Sequence, residues 1–263
     1  LKAAVIDIVP DKSGPVPGFA DPIESVRVGG MKMSGEGEES MITAVLDELK
    51  NIDPDIVVTY GGDDFVLPYL HERARKNELD NILKLDRSGK PFTPSRSPGR
   101  SYFSYGQTLY KPPYQSLMGR MHLDLKNSFL IREGGFLGMA LLSRMSLLPL
   151  QTMARLSPGS AISYMECVEA MNRGRSVRWK KNDPEGWKTA VELSRSDRGG
   201  HIFDPVTGAF SSVVEMDFTS FYPHIMRKKN LSVETLNCSC CKGEQNGVPG
   251  LRYHFCRKRE GLI

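Results

Sequence analysis

The sequence predicts an α/β fold for its first two thirds and a shorter-stranded α+β region from Gly199 onward. Three observations carry this. Apolar runs of strand length stand at residues 1–9, 55–60 and 121–125. Segments of helical periodicity separate or follow them. After Gly199 the texture changes to short apolar runs broken by turn residues.

Residues 1–9 read as the first strand. Residues 10–22 hold four Pro and two Gly and predict a turn-rich loop. From Ser40 to Leu49, Met41, Ile42, Val45, Leu46 and Leu49 recur at helical spacing, with charges on the other face. Asp55 to Tyr60 predicts a second strand, and Leu67 to Arg75 a helix entered through Pro68. Residues 86–119 are rich in Ser, Pro, Gly, Arg and Tyr; Ser101 to Tyr105 fits either a hairpin arm or a surface loop. Met121 to Leu125 is a third strand. Helices are expected over Gly138–Leu148 and Ala161–Met171. Arg173 to Lys181 carries basic residues around Trp179; it suits phosphate contact, but a solvated linker is the preferred reading. Short strands are expected at His201–Phe203 and Ser212–Met216, around a turn at Asp204–Gly208.

The 263 residues are 40% hydrophobic and 25% charged, enough for one large or two small cores, and no leader pattern or membrane-length apolar run occurs. A net charge of +4 permits a nucleic-acid partner without requiring one. Five Cys, four of them near the C-terminus, fit a reducing compartment better than a disulfide framework. Both ends read as cut from a longer or split polypeptide.

The most informative stretch is Met216 to Ile225. One acid, Asp217, follows the apolar pair Val213-Val214; small, hydroxyl and aromatic residues come next, then Pro223 opens a new element. A strand-end acid beside a turn that approaches phosphates suits metal-assisted nucleotidyl transfer. Asp217-x-x-Ser220-Phe221-Tyr222-Pro223, continued by Asn230-Leu231-Ser232 and Glu234-Thr235-Leu236, closely resembles motif A of the family B DNA polymerases. The resemblance implies that Asp217 and the Phe218 carbonyl bind two catalytic Mg²⁺ ions. It implies that Phe218, Thr219, Ser220, Phe221 and Tyr222 form the nucleotide site, with Tyr222 as a steric gate against ribonucleotides. Phe221 stands where the family commonly has Leu. The family's Tyr-Gly-Asp-Thr-Asp-type motif and fingers lysine do not occur here.

The first part resembles the family's 3′–5′ exonuclease, a ribonuclease H-like domain, with most of its acids replaced. Asp7-Ile8-Val9 stands for Asp-x-Glu. In Tyr60 to Leu70, Gly61 replaces an Asn and Val66 a metal-binding Asp. The helical Tyr-x-x-x-Asp motif has no counterpart after Asp124. The degenerate positions are thus Asp7, Val9, Gly61 and Val66, with Asp7 taken as a strand-end acid. Asp197-Arg198-Gly199-Gly200 lacks the Tyr of the family's connector. An aromatic and basic loop from Arg96 and Arg100 through Tyr114 is a candidate DNA contact. Among the family's groups, the archaeal second type, with a disabled exonuclease, fits this combination.

Cys238, Cys241, His254 and Cys256 could make a Cys₃His Zn²⁺ site, with Cys240 as an alternative ligand and Gly243, Gly247, Pro249 and Gly250 in the intervening loop. Reduced, partly buried thiols are the preferred reading. The expected organisation is an exonuclease-like domain over 1–181, a connector over 182–198 and a partial palm over 199–263. The expected partners are primer–template DNA, dNTP and a further segment or second polypeptide carrying the remaining palm, fingers and thumb, without a membrane, in the cytoplasm near the nucleoid. A silent polymerase-like DNA-binding scaffold is the alternative, and an active nuclease a more remote one.

Overall fold

Strand β1 (Ala3–Pro10) alternates strictly between outward and inward residues, with Ala4, Ile6, Ile8 and Pro10 buried. This computed structural model describes residues 1–11, 14, 16–95, 99–104, 107–177, 186–196, 199–200, 202–241, 246–249 and 251–263. They divide into two units, Leu1–Met165 and Glu166–Ile263.

In the first unit, β2 (Ile23–Val28) and β3 (Met31–Ser34) form an antiparallel hairpin that continues from β1. Helix α1 (Glu38–Ile52) buries Met41, Ile42, Val45 and Leu49, as its periodicity predicts. Burial of each of these side chains contributes about 1.5–3 kcal/mol as an upper bound. Glu38 and Glu39 lie in its positively polarised first turn. Asp53, in the left-handed region at φ 43°, ends it by donating its N–H to the Leu49 carbonyl. Strand β4 (Ile56–Thr59) then runs parallel to β1.

A single π-turn, Gly62–Val66, leads into helix α2 (Leu67–Lys76), whose Leu67, Tyr69, Leu70 and Ala74 are buried. Arg73 of α2 is nearly buried and pairs with Glu38 of α1, clamping the two helices. Strands β5 (Arg100–Ser104) and β6 (Gln107–Lys111) form a separate two-stranded hairpin, which settles the arm-or-loop question in favour of the arm. Strand β7 (Met121–Asp124) pairs parallel to β4 and completes a five-stranded sheet of order β3-β2-β1-β4-β7. Helix α3 (Phe129–Ser146) starts earlier than predicted and kinks at Gly135, whose φ of 65° is non-helical. Ser128 caps it, accepting from the Ile131 N–H. The short α4 (Leu150–Met153) follows, and α5 (Pro158–Asn172) spans the division between the units. The main core lies between the sheet and α1 and α2; a second cluster gathers Leu123, Leu130, Met139, Met153 and Ala161.

In the second unit, α6 (Ala190–Ser196) interrupts the segment read as a plain connector. Helix α7 (Phe221–Lys229) has no buried residue. The strands expected at His201–Phe203 and Ser212–Met216 do not form among the described residues, and His201 lies outside them. A strand is defined by its ladder, and no described segment pairs with these runs. Arg173 is not merely solvated: it pairs with Glu169 and donates to the Gly261 carbonyl at 3.0 Å. Arg178, Trp179, Lys180 and Lys181 of the basic run, and Asp197 and Arg198 of the connector, lie outside the described residues. No helix among the described residues is long and apolar enough to cross a membrane.

Gly62 is packed so closely that a Cβ there would lie 2.0 Å from Thr59 Oγ1 and 2.6 Å from His122 Nε2. Gly62→Ala is therefore expected to destabilise the first unit by about 1–3 kcal/mol. Urea denaturation followed by tryptophan-independent far-UV dichroism measures it; an unchanged midpoint would contradict the packing.

Candidate functional site

The Asp217 segment is built on an exposed turn. Phe218 N–H donates to Asp217 Oδ1 at 2.7 Å, which fixes the carboxylate against its own backbone. Thr219 and Ser220 make the turn, and Ser220, at φ 49°, is the left-handed residue from which α7 starts. The His224 N–H donates to the Ser220 carbonyl at 3.0 Å, so the first turn of α7 is closed. Phe221 and Tyr222 are the first two residues of the helix, and Pro223 sits third, where its missing N–H costs no helical bond. The Phe218 and Phe221 rings lie 5.3 Å apart and the Phe221 and Tyr222 rings 5.9 Å apart. The Tyr222 side chain is 75% exposed. The sequence-predicted residues 217–222 thus run consecutively from one exposed turn into the first residues of α7. Helix N-termini of this kind favour anions.

The four degenerate positions of the first unit occupy different environments. Asp7 and Val9 lie on the outward face of β1, Val9 at 38% exposure. Asp7 is in mid-strand, opposite Arg27 of β2, and not at a strand end as expected. Gly61 is buried with φ 78°, a conformation that suits glycine. Val66 is 5% exposed and belongs to the main core.

Beside them lies a buried charge network that local sequence patterns did not reveal. Asp63 is 1% exposed. Arg155 grips it with both arms, Nε to Oδ2 at 2.8 Å and Nη2 to Oδ1 at 2.9 Å. Gln115 N–H donates to Oδ1 at 2.7 Å and Asn127 Nδ2 to Oδ2 at 2.7 Å. Burial alone would raise this carboxyl; the Arg155 hydrogen bonds and charge, with Asn127 and Gln115, outweigh it and hold it below the usual carboxylate range. His122 is wholly buried, with Nε2 2.7 Å from Thr59 Oγ1 and Nδ1 2.7 Å from the Gln115 carbonyl. Burial, and then the Arg155 charge, push it below its ordinary range, so it is neutral at pH 7. Asp124, at the end of β7, accepts from the N–H groups of Gly61 and Asp63 at 2.8 and 2.9 Å and so caps the π-turn. Asp64 points elsewhere and pairs with Lys126 at 2.7 Å.

The aromatic and basic arm stands on the β5–β6 hairpin. Tyr102, Phe103, Tyr110 and Tyr114 are exposed, and Arg100, Lys111 and Tyr114 line one groove. Arg96 and Tyr105 lie outside the described residues.

The cysteines converge. The Sγ atoms of Cys238, Cys240, Cys241 and Cys256 all lie within 4.8 Å of one another, the one grouping of three or more metal-ligating side chains among the described residues. The expected set had His254 as a ligand and Cys240 as the alternative; the fold places Cys240 within the group, 3.5 Å from Cys256 Sγ, while His254 Nε2, 3.8 Å from Cys238 Sγ, is not part of it. Two antiparallel bridges, Leu236 with Phe255 and Gly247 with His254, bring the segments together. Gly243 and Gly250 lie outside the described residues.

Two family models match the chain. One, described as DNA polymerase family B, exonuclease domain, covers residues 27–130. The other, DNA polymerase family B, covers residues 171–250, including the Asp217 turn. A DNA polymerase of Pyrococcus glycovorans is 27% identical over 86% of this chain and 34% of its own length. DNA polymerase 1 of Pyrococcus abyssi is 26% identical with the same coverage. The chain thus spans about a third of the length of these curated relatives. The family B DNA polymerase structure from Pyrobaculum calidifontis aligns with all of this chain and 40% of its own, at TM-score 0.62 and 24% identity, a likeness of fold.

Arg155→Met leaves the Asp63 carboxylate buried without its partner, and a loss of about 3–5 kcal/mol is expected at pH 7. The pH dependence carries the sign. In the parent chain Asp63 is held low, so the pair's contribution is present above the ordinary carboxyl range, near pH 4, and is lost as pH falls through the lower folded value. In the variant, protonation relieves an unpaired charge, so the gap to the parent should narrow on acidification. Denaturation midpoints between pH 4 and 7 test this; a gap that widens toward low pH would contradict the assignment.

Proposed function

The chain belongs to the family B DNA polymerases, and from that premise we propose that it is the part of a template-directed DNA polymerase that carries motif A, with a proofreading domain that no longer hydrolyses DNA. The observation that carries the reading is the turn Asp217–Tyr222, where a carboxylate, a helix N-terminus and an aromatic ring adjoin.

Asp217 and the Phe218 carbonyl are the donors that would hold the divalent ions. Both are hard oxygen ligands, which suits Mg²⁺. When bound, the two ions stabilise the attacking and leaving oxygens of an in-line phosphoryl displacement. The remaining work falls to this chain's own groups. The backbone N–H groups around Ser220 and Phe221, at the positive end of α7, orient the triphosphate. Tyr222, second in α7, lies under the incoming sugar and leaves no room for a 2′-hydroxyl; Phe221 braces its ring. The Tyr-Gly-Asp-Thr-Asp pattern is absent from the 263 residues. A further segment or a second polypeptide therefore supplies the second carboxylate set.

The absence of proofreading is supported by side-chain chemistry. Val9, Gly61 and Val66 offer no side-chain oxygen to a metal. Asp63 and Asp64, the acids just before Val66 in sequence, are already committed, Asp63 to Arg155 and Asp64 to Lys126. Such a domain can still guide single-stranded template, for which the exposed aromatics and Arg100 of the β5–β6 hairpin supply stacking and phosphate contacts.

In the intact polymerase, Asp217→Ala is expected to abolish Mg²⁺-dependent primer extension; retained extension would reject the metal assignment. Tyr222→Ala should keep extension with dNTP while raising ribonucleotide incorporation by on the order of ten-fold or more, read from competing dNTP and rNTP incorporation. Unchanged selectivity would remove the gate role. Single-stranded DNA incubated with the parent enzyme and Mg²⁺ should remain full length; shortening that disappears in Asp7→Ala would refute the inactive-nuclease reading.

A further inference from the structure

We propose that Cys238, Cys240, Cys241 and Cys256 form a mononuclear tetrathiolate zinc site that fastens the chain segment following α7. The proposal stands on the sulfur geometry and does not rest on the polymerase reading. The Sγ–Sγ separations are 3.5 Å for Cys240–Cys256, 3.9 Å for Cys240–Cys241 and 4.0 Å for Cys241–Cys256. A tetrahedron with Zn–S bonds of about 2.3 Å has sulfur–sulfur edges of about 3.8 Å. A disulfide would need about 2.05 Å, and all four cysteines are free thiols. Neutral thiols are weak hydrogen-bonding groups and give little reason for four of them to converge.

The surroundings suit thiolates. Arg257 N–H points at Cys241 Sγ at 3.5 Å and Arg259 N–H at Cys256 Sγ at 3.3 Å, contacts that stabilise sulfur in its metal-binding, deprotonated form. Cys238 and Cys256 are buried, Cys241 is half-buried and Cys240 is exposed. Four protein ligands leave no open position, so the site is structural and takes no part in substrate chemistry. His254 Nε2 lies 3.1 Å from the Cys238 carbonyl, where it positions the Cys238 backbone and leaves coordination to the sulfurs.

What the ion would hold is specific. Asn230, the left-handed residue that ends α7, donates through Nδ2 to the carbonyls of Cys256 and Arg259 at 2.7 and 2.8 Å and accepts from Gly261 N–H at 2.7 Å. Cys256 N–H donates to the Thr235 carbonyl at 2.8 Å. Fixing Cys256 therefore fixes the C-terminal end of α7, nine residues from Phe221 by chain, and sets Arg257, Lys258 and Arg259 beside it.

The test is metal analysis of the purified chain, with cobalt substitution as the second readout. Stoichiometric zinc is expected, about one per chain. The apoprotein should take up Co²⁺ with the visible absorption of a tetrahedral sulfur-rich site, and Zn²⁺ should bleach it. Cys240→Ser and Cys256→Ser should lose the zinc, and His254→Ala should retain it. A parent chain that neither carries zinc nor gives the tetrahedral cobalt spectrum overturns the site, whatever the variants do. Zinc lost by His254→Ala but kept by Cys240→Ser overturns the tetrathiolate ligand set, and stoichiometric iron in place of zinc overturns the metal.

Discussion

The buried pair of Asp63 and Arg155 is the interaction on which the first unit depends. It joins the π-turn after β4 to the end of α4, and its other partners, Gln115 and Asn127, come from the approaches to β7 and α3. Two charges taken out of water are costly, and the cost is offset only because every oxygen of the carboxylate is occupied. The same network holds His122 neutral and places Asp124 to cap the π-turn. The pair therefore organises the ends of β4 and β7, where an α/β sheet ordinarily gathers its ligands, into a closed salt-bridged plug.

The second unit follows a different physical logic. Its Asp217 turn is local: one carboxylate bonded to the next residue's N–H, a left-handed Ser220, then a helix. Nothing among the described residues of α7 is buried, so its position is set by its ends rather than by a face. The N-terminal end meets the turn. The C-terminal end is tied through Asn230 to the cysteine knuckle. The proposed chemistry and the proposed anchoring thus sit at opposite ends of nine residues, and a change in one need not deform the other.

Periodicity made β1, α1 and α2 readable from the sequence, because each buries one face and repeats with the matching period, whereas β4 and β7 were readable as short apolar runs buried on both faces. The β2–β3 hairpin escaped notice: Ile23, Val26 and Val28 break strict alternation, and Glu24, Arg27 and Lys32 give the segment a loop-like composition. Ser212–Met216 failed in the opposite way, since β-branched residues suggest a strand that only a partner can complete. In the candidate site, Asp217 to Tyr222 could be read because its parts are consecutive. Asp63 and Arg155 could not, being 92 residues apart with no pattern linking them. Cys240 ranks only as an alternative ligand in the sequence because spacing favours Cys-x-x-Cys, whereas the folded knuckle decides which sulfurs meet.

The environments of Val9 and Val66 bear on how reversible the proposed loss of nuclease chemistry is. Val9 faces outward, so a glutamate there would meet solvent at little cost. Val66 lies in the apolar core, and an aspartate in its place would be an unpaired charge among Leu67, Leu70 and their neighbours. The two steps back are therefore unequal. Packing leaves a carboxylate tolerable at one of these positions and excludes it at the other.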